Sequence, residues 1–414
     1  MRILELAFEY PPHVIGGLGS HLAALAPALA RAGAEVHVVV PRFALPAQER
    51  LFAESGEQLS DTAESLQNPA GLFVHRVEPP PWAHDLMADV QRTNEYLEVA
   101  SVELIRQVGP VDIIHAHDWL VAQSAIALKH RYKVPLLATF HATERGRGRG
   151  NLAGATPRAI AHIEWQLTYE AWRVITVSRH MASELQEYFS LPRDKLDIIP
   201  NGIDKRLFDG LEPTDLTAFR EQYAQAHEAI VFNVGRLVPE KGGHLLVDAA
   251  AHVVAERPAT RFVVAGSGGL LDTLRARAAG LGLASRVTFA GFVSNRDRNA
   301  LYKVADCAVF PSLYEPFGIV ALEAMAAACP VVAANTGGLA EVVQHLDTGW
   351  LVRPDSVEAL ADGILQTLKD PDSARARAKT AYEMISWQYD WEHIAAQTLS
   401  VMERMVVERT RVVW

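Results

Sequence analysis

The chain has 414 residues, 49% hydrophobic and 21% charged, with a formal net charge of −10. That length exceeds one compact core and sets two domains as the expectation, while the acidic balance argues against a general nucleic-acid binder. No run of about 18 apolar residues predicts a membrane-spanning helix.

Residues 1–10 are too short and too acidic for a signal peptide and read as a first strand, so a cytoplasmic protein is expected. After that strand (1–8) comes a turn containing Gly16, Gly17 and Gly19, then a helix (20–32) stopped by Gly33, then a strand (35–40). Strand, glycine loop, helix and strand form the opening half of a doubly wound α/β domain. Residues 44–82 lack periodicity and read as a peripheral insertion with a strand near 71–77. A helix near 94–108 precedes an apolar strand (111–115) and His117-Asp118-Trp119. Asp118 falls at a strand end, where it either caps the helix starting at Trp119 or takes part in binding. Trp119 beside it completes a pair suited to a sugar, the ring covering an apolar face and the carboxylate taking hydroxyls.

The strand 135–140 ends in His141, and the carboxyl edge of a parallel strand is where chemistry is placed. Arg145, Arg147 and Arg149 alternate with glycines as a mobile cationic loop, either touching phosphate or simply solvated. A helix (157–172), a strand (174–177), a helix to 188 and a strand (197–200) lead to Asn201-Gly202-Ile203-Asp204. Residues 205–228 are largely polar and hold the domain boundary.

The pattern restarts with a strand (229–234) and Gly235-Arg236-Leu237-Val238-Pro239-Glu240-Lys241-Gly242-Gly243. With a helix starting near Gly242, Arg236 and Lys241 are either two unrelated exposed cations or a pair converging on a diphosphate. Strands at 261–265 and 287–289 end in glycine turns, Gly266-Ser267-Gly268-Gly269 and Gly291-Phe292-Val293. The central stretch is DCAVFPSLYEPFGIVALEAMAAACPVVAANTGGLAEVV, residues 306–343. It reads as strand (307–311), loop, small-residue helix (319–328), strand (331–334) and a Gly337-Gly338 turn. Glu315 lies in the loop and Glu323 in the helix, whose bare amides at Gly318 and Ile319 suit an anion. Amides for phosphate and carboxylates for hydroxyls together match a nucleotide sugar. Cys307 and Cys329 lie in apolar context and read as reduced, buried thiols. A last helix begins at 386 and runs to the end.

No His/Cys cluster has zinc spacing, and Asp370-Pro371-Asp372 reads as a turn and cap. No metal and no cofactor are therefore expected, and a leaving nucleotide would be stabilised by Arg236, Lys241 and the Gly318 helix end.

E-P-F-G-x-x-x-x-E followed by T-G-G-L, with G-R-L-x-x-x-K-G and N-G-I-D, resembles the retaining glycosyltransferases of family 4. The resemblance covers nearly the whole chain and implies the GT-B fold, two Rossmann-like doubly wound domains facing across a donor-binding cleft. It implies an N-terminal acceptor domain (1–205, completed by helix 386–414) and a nucleotide-sugar domain (206–385). It also implies that Glu315 faces the donor sugar, Glu323 the ribose, and the amides after Phe317, at Gly318 and Ile319, the diphosphate. Phe292 and Val293 would meet the base through backbone. His141 would contact the sugar near the reacting carbon, and Asp118 with Trp119 would lie near the acceptor. Donor contacts extend to Gly16, Gly17, Gly266, Arg236 and Lys241.

The first half, with E-Y-P-P-x-V-x-G-G-L-G, H-A-H-D-W-L-V-A and F-H-A-T-E-x-G-R, is most similar to bacterial α-1,4-glucosyltransferases related to glycogen synthase. The implied reaction is retaining transfer of a hexose, glucose, from UDP- or ADP-glucose to a glucan or oligosaccharide. Rivals are a family 4 transferase with a small-molecule or lipid acceptor, and a GT-B nucleotide-sugar epimerase. One departure stands out: glycogen synthases usually carry Lys just ahead of the Gly-Gly, where this chain has Val14-Ile15.

Overall fold

The structure is a computed structural model and describes residues 1–12, 14, 16–42, 68–83, 85–212 and 216–413. Ile15 and most of the expected insertion, residues 43–67, lie outside the described residues. The chain divides into two compact units, Met1–Gly202 with Trp391–Trp414, and Ile203–Asp390.

In the first unit seven strands form one parallel sheet: β1 (Arg2–Leu6), β2 (Glu35–Pro41), β3 (Leu72–Val77), β4 (Ile113–His117), β5 (Leu136–Phe140), β6 (Arg173–Thr176) and β7 (Leu196–Ile198). Their order is β3-β2-β1-β4-β5-β6-β7, so the winding reverses between β1 and β4. Parallel neighbours need long crossovers, and these are helices such as Gly17–Arg31, Leu86–Val108 and Ala155–Glu170. The helix expected near 94–108 starts earlier because Asp85 accepts hydrogen bonds from the amides of Met87 and Ala88. β4 and β5 are buried throughout, although β4 carries His115 and His117 and β5 carries Thr139.

The helix Trp391–Arg409 belongs to this unit, placing Trp391, Ile394, Met402 and Met405 in a core with Leu22, Leu25 and Leu29. Its expected start at 386 is corrected. Ser386 lies inside the preceding helix Pro371–Gln388, its hydroxyl donating to the carbonyl of Tyr382 at 2.7 Å. The backbone leaves helical geometry at Tyr389, so the crossing lies there.

The second unit holds six strands: β8 (Ala229–Val234), β9 (Thr260–Ala265), β10 (Val287–Gly291), β11 (Cys307–Phe310), β12 (Val331–Ala334) and β13 (Trp350–Val352). The order β10-β9-β8-β11-β12-β13 reverses between β8 and β11. Cys307 and Cys329 are buried, free thiols, their pKa values raised by burial. Among the described residues no helix is long and apolar enough to cross a membrane.

Gly202 marks how tightly the returning helix docks. A Cβ there would lie 2.7 Å from the Trp391 ring. Gly202→Ala is expected to destabilise the first unit by about 1–3 kcal/mol through overpacking. Chemical denaturation of the variant checks this, and an unchanged midpoint contradicts the close contact.

Candidate active site

Open α/β sheets bind ligands outside the carboxyl ends of their strands where the winding reverses. In the second unit that point brings together the segments following β8 and β11. Asn233 on β8 donates its side-chain amide to the carbonyl of Val309 on β11 at 2.8 Å, and the amide of Leu313 donates to the carbonyl of Glu240 at 2.8 Å. A 3-10 turn, Pro239–Lys241, precedes the helix Gly243–Glu256, with Gly242 between them at φ 67°. A Cβ on Gly242 would meet the Pro311 carbonyl oxygen at 2.0 Å, so only glycine allows this approach.

The approach aims Lys241 at the loop after β11, where its Nζ lies 2.7 Å from Glu315 Oε2. Ser312 donates its hydroxyl to the same oxygen at 3.2 Å. Glu315 is buried, and the ammonium and hydroxyl offset its desolvation. Arg236 is half exposed, its guanidinium 3.5 Å from Glu240. Gly235, Arg236, Lys241, Ser312, Glu315 and Val320 line one pocket of this unit. The helix Ile319–Ala326 begins beside it at Gly318, with no side chain capping its first amides. Those amides stand beside two cations that are each paired with a carboxylate, Lys241 with Glu315 and Arg236 with Glu240.

The other predicted donor residues are placed differently. Glu323 is buried, accepting from the Tyr302 hydroxyl at 3.2 Å and pairing with Arg298 at 3.2 Å. Phe317 is buried against Tyr389, centroids 6.1 Å apart, leaving its backbone rather than its ring for a ligand. Gly266, at the end of β9, donates its amide to the Gly291 carbonyl at 2.6 Å. Phe292 is exposed and Val293 part-buried just past β10. Asp370 caps the helix Pro371–Gln388, accepting from the Ser373 amide at 3.1 Å.

In the first unit the reversal lies between β1 and β4, and register sets Glu5 opposite His115. Glu5 Oε2 lies 2.9 Å from His117 Nε2 and 2.9 Å from His115 Nδ1. Burial alone would raise the Glu5 carboxyl, but the two imidazoles outweigh it and hold it at about 2. His117 Nδ1 lies 3.3 Å from His141 Nε2. Burial lowers His117 to about 4 and His141 well below the usual imidazole value. Both rings are therefore neutral at pH 7. Gly16 caps the helix Gly17–Arg31 and donates its amide to Glu9 at 2.9 Å.

Three expectations need correction here. Asp118 does not cap the turn at Trp119: its backbone is left-handed (φ 58°), and its carboxylate accepts the His141 amide at 2.7 Å. It thus ties the end of β4 to the end of β5, and burial pushes its carboxyl up to about 7. Trp119 is 6% exposed and packs as core, so its ring is no platform for a sugar. The Arg145–Arg149 stretch is not an open loop. Thr143 caps a short helix, Glu144–Arg147, in which Arg147 pairs with Glu144 and Arg145 lies over the Tyr188 ring. Sequence reading missed Glu5, His21 and Asn201. His21 Nδ1 lies 2.7 Å from Asn201 Oδ1, and its ring meets His141 edge-on at 4.6 Å.

Comparison with known proteins bears on both units. Residues 15–207 match the family "Glycosyltransferase Family 4" and residues 216–384 match "Glycosyl transferases group 1". An uncharacterised glycosyltransferase of Methanocaldococcus jannaschii is 36% identical, covering 97% of each chain. The glycogen synthase of Mycobacterium tuberculosis is 36% identical over 97% of this chain and 94% of its own. Among solved structures, sucrose-phosphate synthase from Thermosynechococcus elongatus superposes with a TM-score of 0.79 at 24% identity, over 98% of this chain and 99% of its own. Anabaena HepE in complex with UDP-glucose does so with a TM-score of 0.76 at 24% identity, over 97% of this chain and all of its own (100%). With two parallel Rossmann-like sheets and relatives matching over nearly their full length, the chain belongs to the GT-B glycosyltransferases of family 4.

Proposed function

We propose that this enzyme transfers glucose from UDP- or ADP-glucose, with retention of configuration, to a glucan or oligosaccharide, forming an α-1,4 linkage. The observation that carries the donor half is the pocket of the second unit, where Arg236, Lys241 and Glu315 stand beside the uncapped helix start at Gly318. The acceptor half rests on similarity to the mycobacterial glycogen synthase along almost the whole chain.

In the proposed reaction the acceptor hydroxyl oxygen bonds to the anomeric carbon as the bond from that carbon to the β-phosphate oxygen breaks. The hydroxyl proton passes to that phosphate oxygen, and the nucleoside diphosphate leaves. Arg236, Lys241 and the amides at Gly318 and Ile319 stabilise the charge that develops on the diphosphate. Glu315, held by Lys241, accepts from sugar hydroxyls, and neutral His141 orients the sugar without adding a positive charge near the reacting carbon. No protein nucleophile, metal or cofactor takes part. Incubation with UDP- and ADP-glucose, with and without maltooligosaccharides, tests the reading by product mass. No transfer to any glucan redirects it to a small-molecule or lipid acceptor.

Lys241→Ala and Arg236→Ala are each expected to lower turnover about a hundredfold or more, with folding verified by circular dichroism. A folded variant with near wild-type kcat removes that residue from the diphosphate site.

Transfer is also expected to persist in excess EDTA. Abolition by EDTA and rescue by Mg²⁺ or Mn²⁺ would assign the diphosphate to a metal instead.

Asp118→Asn keeps an oxygen that accepts the His141 amide but removes the carboxylate. If Asp118 acts on the acceptor, acceptor KM rises or kcat falls while donor binding holds; unchanged kinetics restrict it to tying β4 to β5. Its titration gives a second readout. The unfolded chain releases this proton near 3.8 and the folded chain near 7, so wild-type stability falls as pH rises through that window. Melting temperatures across the same window should fall less steeply for Asp118→Asn.

A further inference from the structure

Three histidine rings from three elements converge in the first unit: His21 from the helix Gly17–Arg31, His117 from the end of β4, and His141 just past β5. Their centroids are 4.6, 5.6 and 5.6 Å apart. One nitrogen of each lies within 4.8 Å of the others. Imidazoles radiating from a tetrahedral zinc at about 2.0–2.1 Å would hold their ring centres about 5 Å apart and their ligating nitrogens about 3.3 Å apart. His117 Nδ1 and His141 Nε2 are at 3.3 Å.

The opposite nitrogen is held from behind in two of the three rings, while His141 Nδ1 is buried with no hydrogen-bond partner among the described residues. His117 Nε2 lies 2.9 Å from Glu5 Oε2, and His21 Nδ1 lies 2.7 Å from Asn201 Oδ1. Metal-ligating histidines characteristically give their second nitrogen to a carboxylate or a carbonyl, which fixes the ring and raises its basicity. That leaves His21 Nε2, His117 Nδ1 and His141 Nε2 for a common centre. His21 Nε2 is buried with no hydrogen-bond partner among the described residues, in a side chain only 4% exposed.

We propose that His21, His117 and His141 bind a divalent transition metal, with Zn²⁺ the best match, in a three-histidine site with its fourth position open. The ionised Glu5 behind His117 offsets part of the metal's charge. His141 is part-buried, the least enclosed of the three. The neighbouring trio of Glu5, His115 and His117 is fully buried, and His115 Nε2 is engaged with Thr139 Oγ1 at 2.7 Å, so Glu5 serves as the outer partner. Since His117 Nε2–H donates to Glu5, its Nδ1 accepts from His141 Nε2–H; on metal binding that proton moves to His141 Nδ1. The step is a tautomer change of one neutral ring, with no change of oxidation state.

Purified full-length protein titrated with Co²⁺ at neutral pH is expected to develop the intense visible bands of four-coordinate cobalt, saturating at one ion per chain and displaced by Zn²⁺. His21→Ala should abolish the bands, and Glu5→Gln should weaken Zn²⁺ binding by roughly 10–100-fold, with circular dichroism reporting the fold of both. The wild-type spectrum decides the matter even where a variant fails to fold. Only the weak bands of octahedral cobalt, or intense bands that survive in folded His21→Ala, overturn the site. Bound Zn²⁺ also withdraws His141 from a sugar, so it should inhibit transfer and EDTA should restore the rate. This arm rests on the transfer reading, whereas the cobalt spectrum does not: four-coordinate bands without inhibition keep the metal site and remove His141 from the transfer mechanism.

Discussion

A parallel sheet covered on both faces leaves no place for an uncompensated charge except the carboxyl ends of its strands, and both units are built within that constraint. The second unit obeys it simply. β8 and β11 carry no charged residue, Asn233 being their one polar side chain, and Arg236, Lys241 and Glu315 appear only after the strands have ended. The first unit strains it, because Glu5, His115 and His117 sit within the strands and are fully buried. Such a carboxylate persists only with partners, and the cross-strand register of β1 and β4 provides them.

This difference explains what was legible in the sequence. The second unit's site is assembled from two short segments, each carrying its own glycine punctuation, so spacing together with the family motifs singled out Lys241, Glu315 and the helix start at Gly318. The alternation of apolar strands with helices gave the architecture for the same reason, since each crossover unit is local. The histidine cluster was invisible because Glu5, His21, His117, His141 and Asn201 come from five places, joined only by the winding of the sheet. No spacing rule for metal ligands reaches across such separations.

The misread residues share a physical cause. Asp118 before a helical turn has the composition of a cap, but its left-handed backbone turns the carboxylate toward β5. Trp119 looks like a sugar platform beside a carboxylate, yet following a buried strand it is drawn into the core. The arginine-glycine stretch has a solvated composition, and a single Thr143 hydroxyl accepting the Gly146 amide is enough to coil its start. In each case a backbone conformation or one tertiary bond overrode a local preference.

The two units differ in their electrostatics. The second pairs each cation with a carboxylate, Lys241 with Glu315 and Arg236 with Glu240, beside the uncapped amides at Gly318. The first presents the buried Glu5 carboxylate against imidazoles that burial keeps neutral, with the buried Asp118 beside His141. Under the proposed transfer the reacting sugar gains positive charge, so a protonated histidine beside it would oppose the reaction, and the desolvation that suppresses protonation is part of the site's function. The same desolvation leaves the imidazole lone pairs open to a metal. Under the two proposals, one physical choice, neutral buried histidines beside an ionised glutamate, would both serve the sugar and expose the site to competition from a divalent ion.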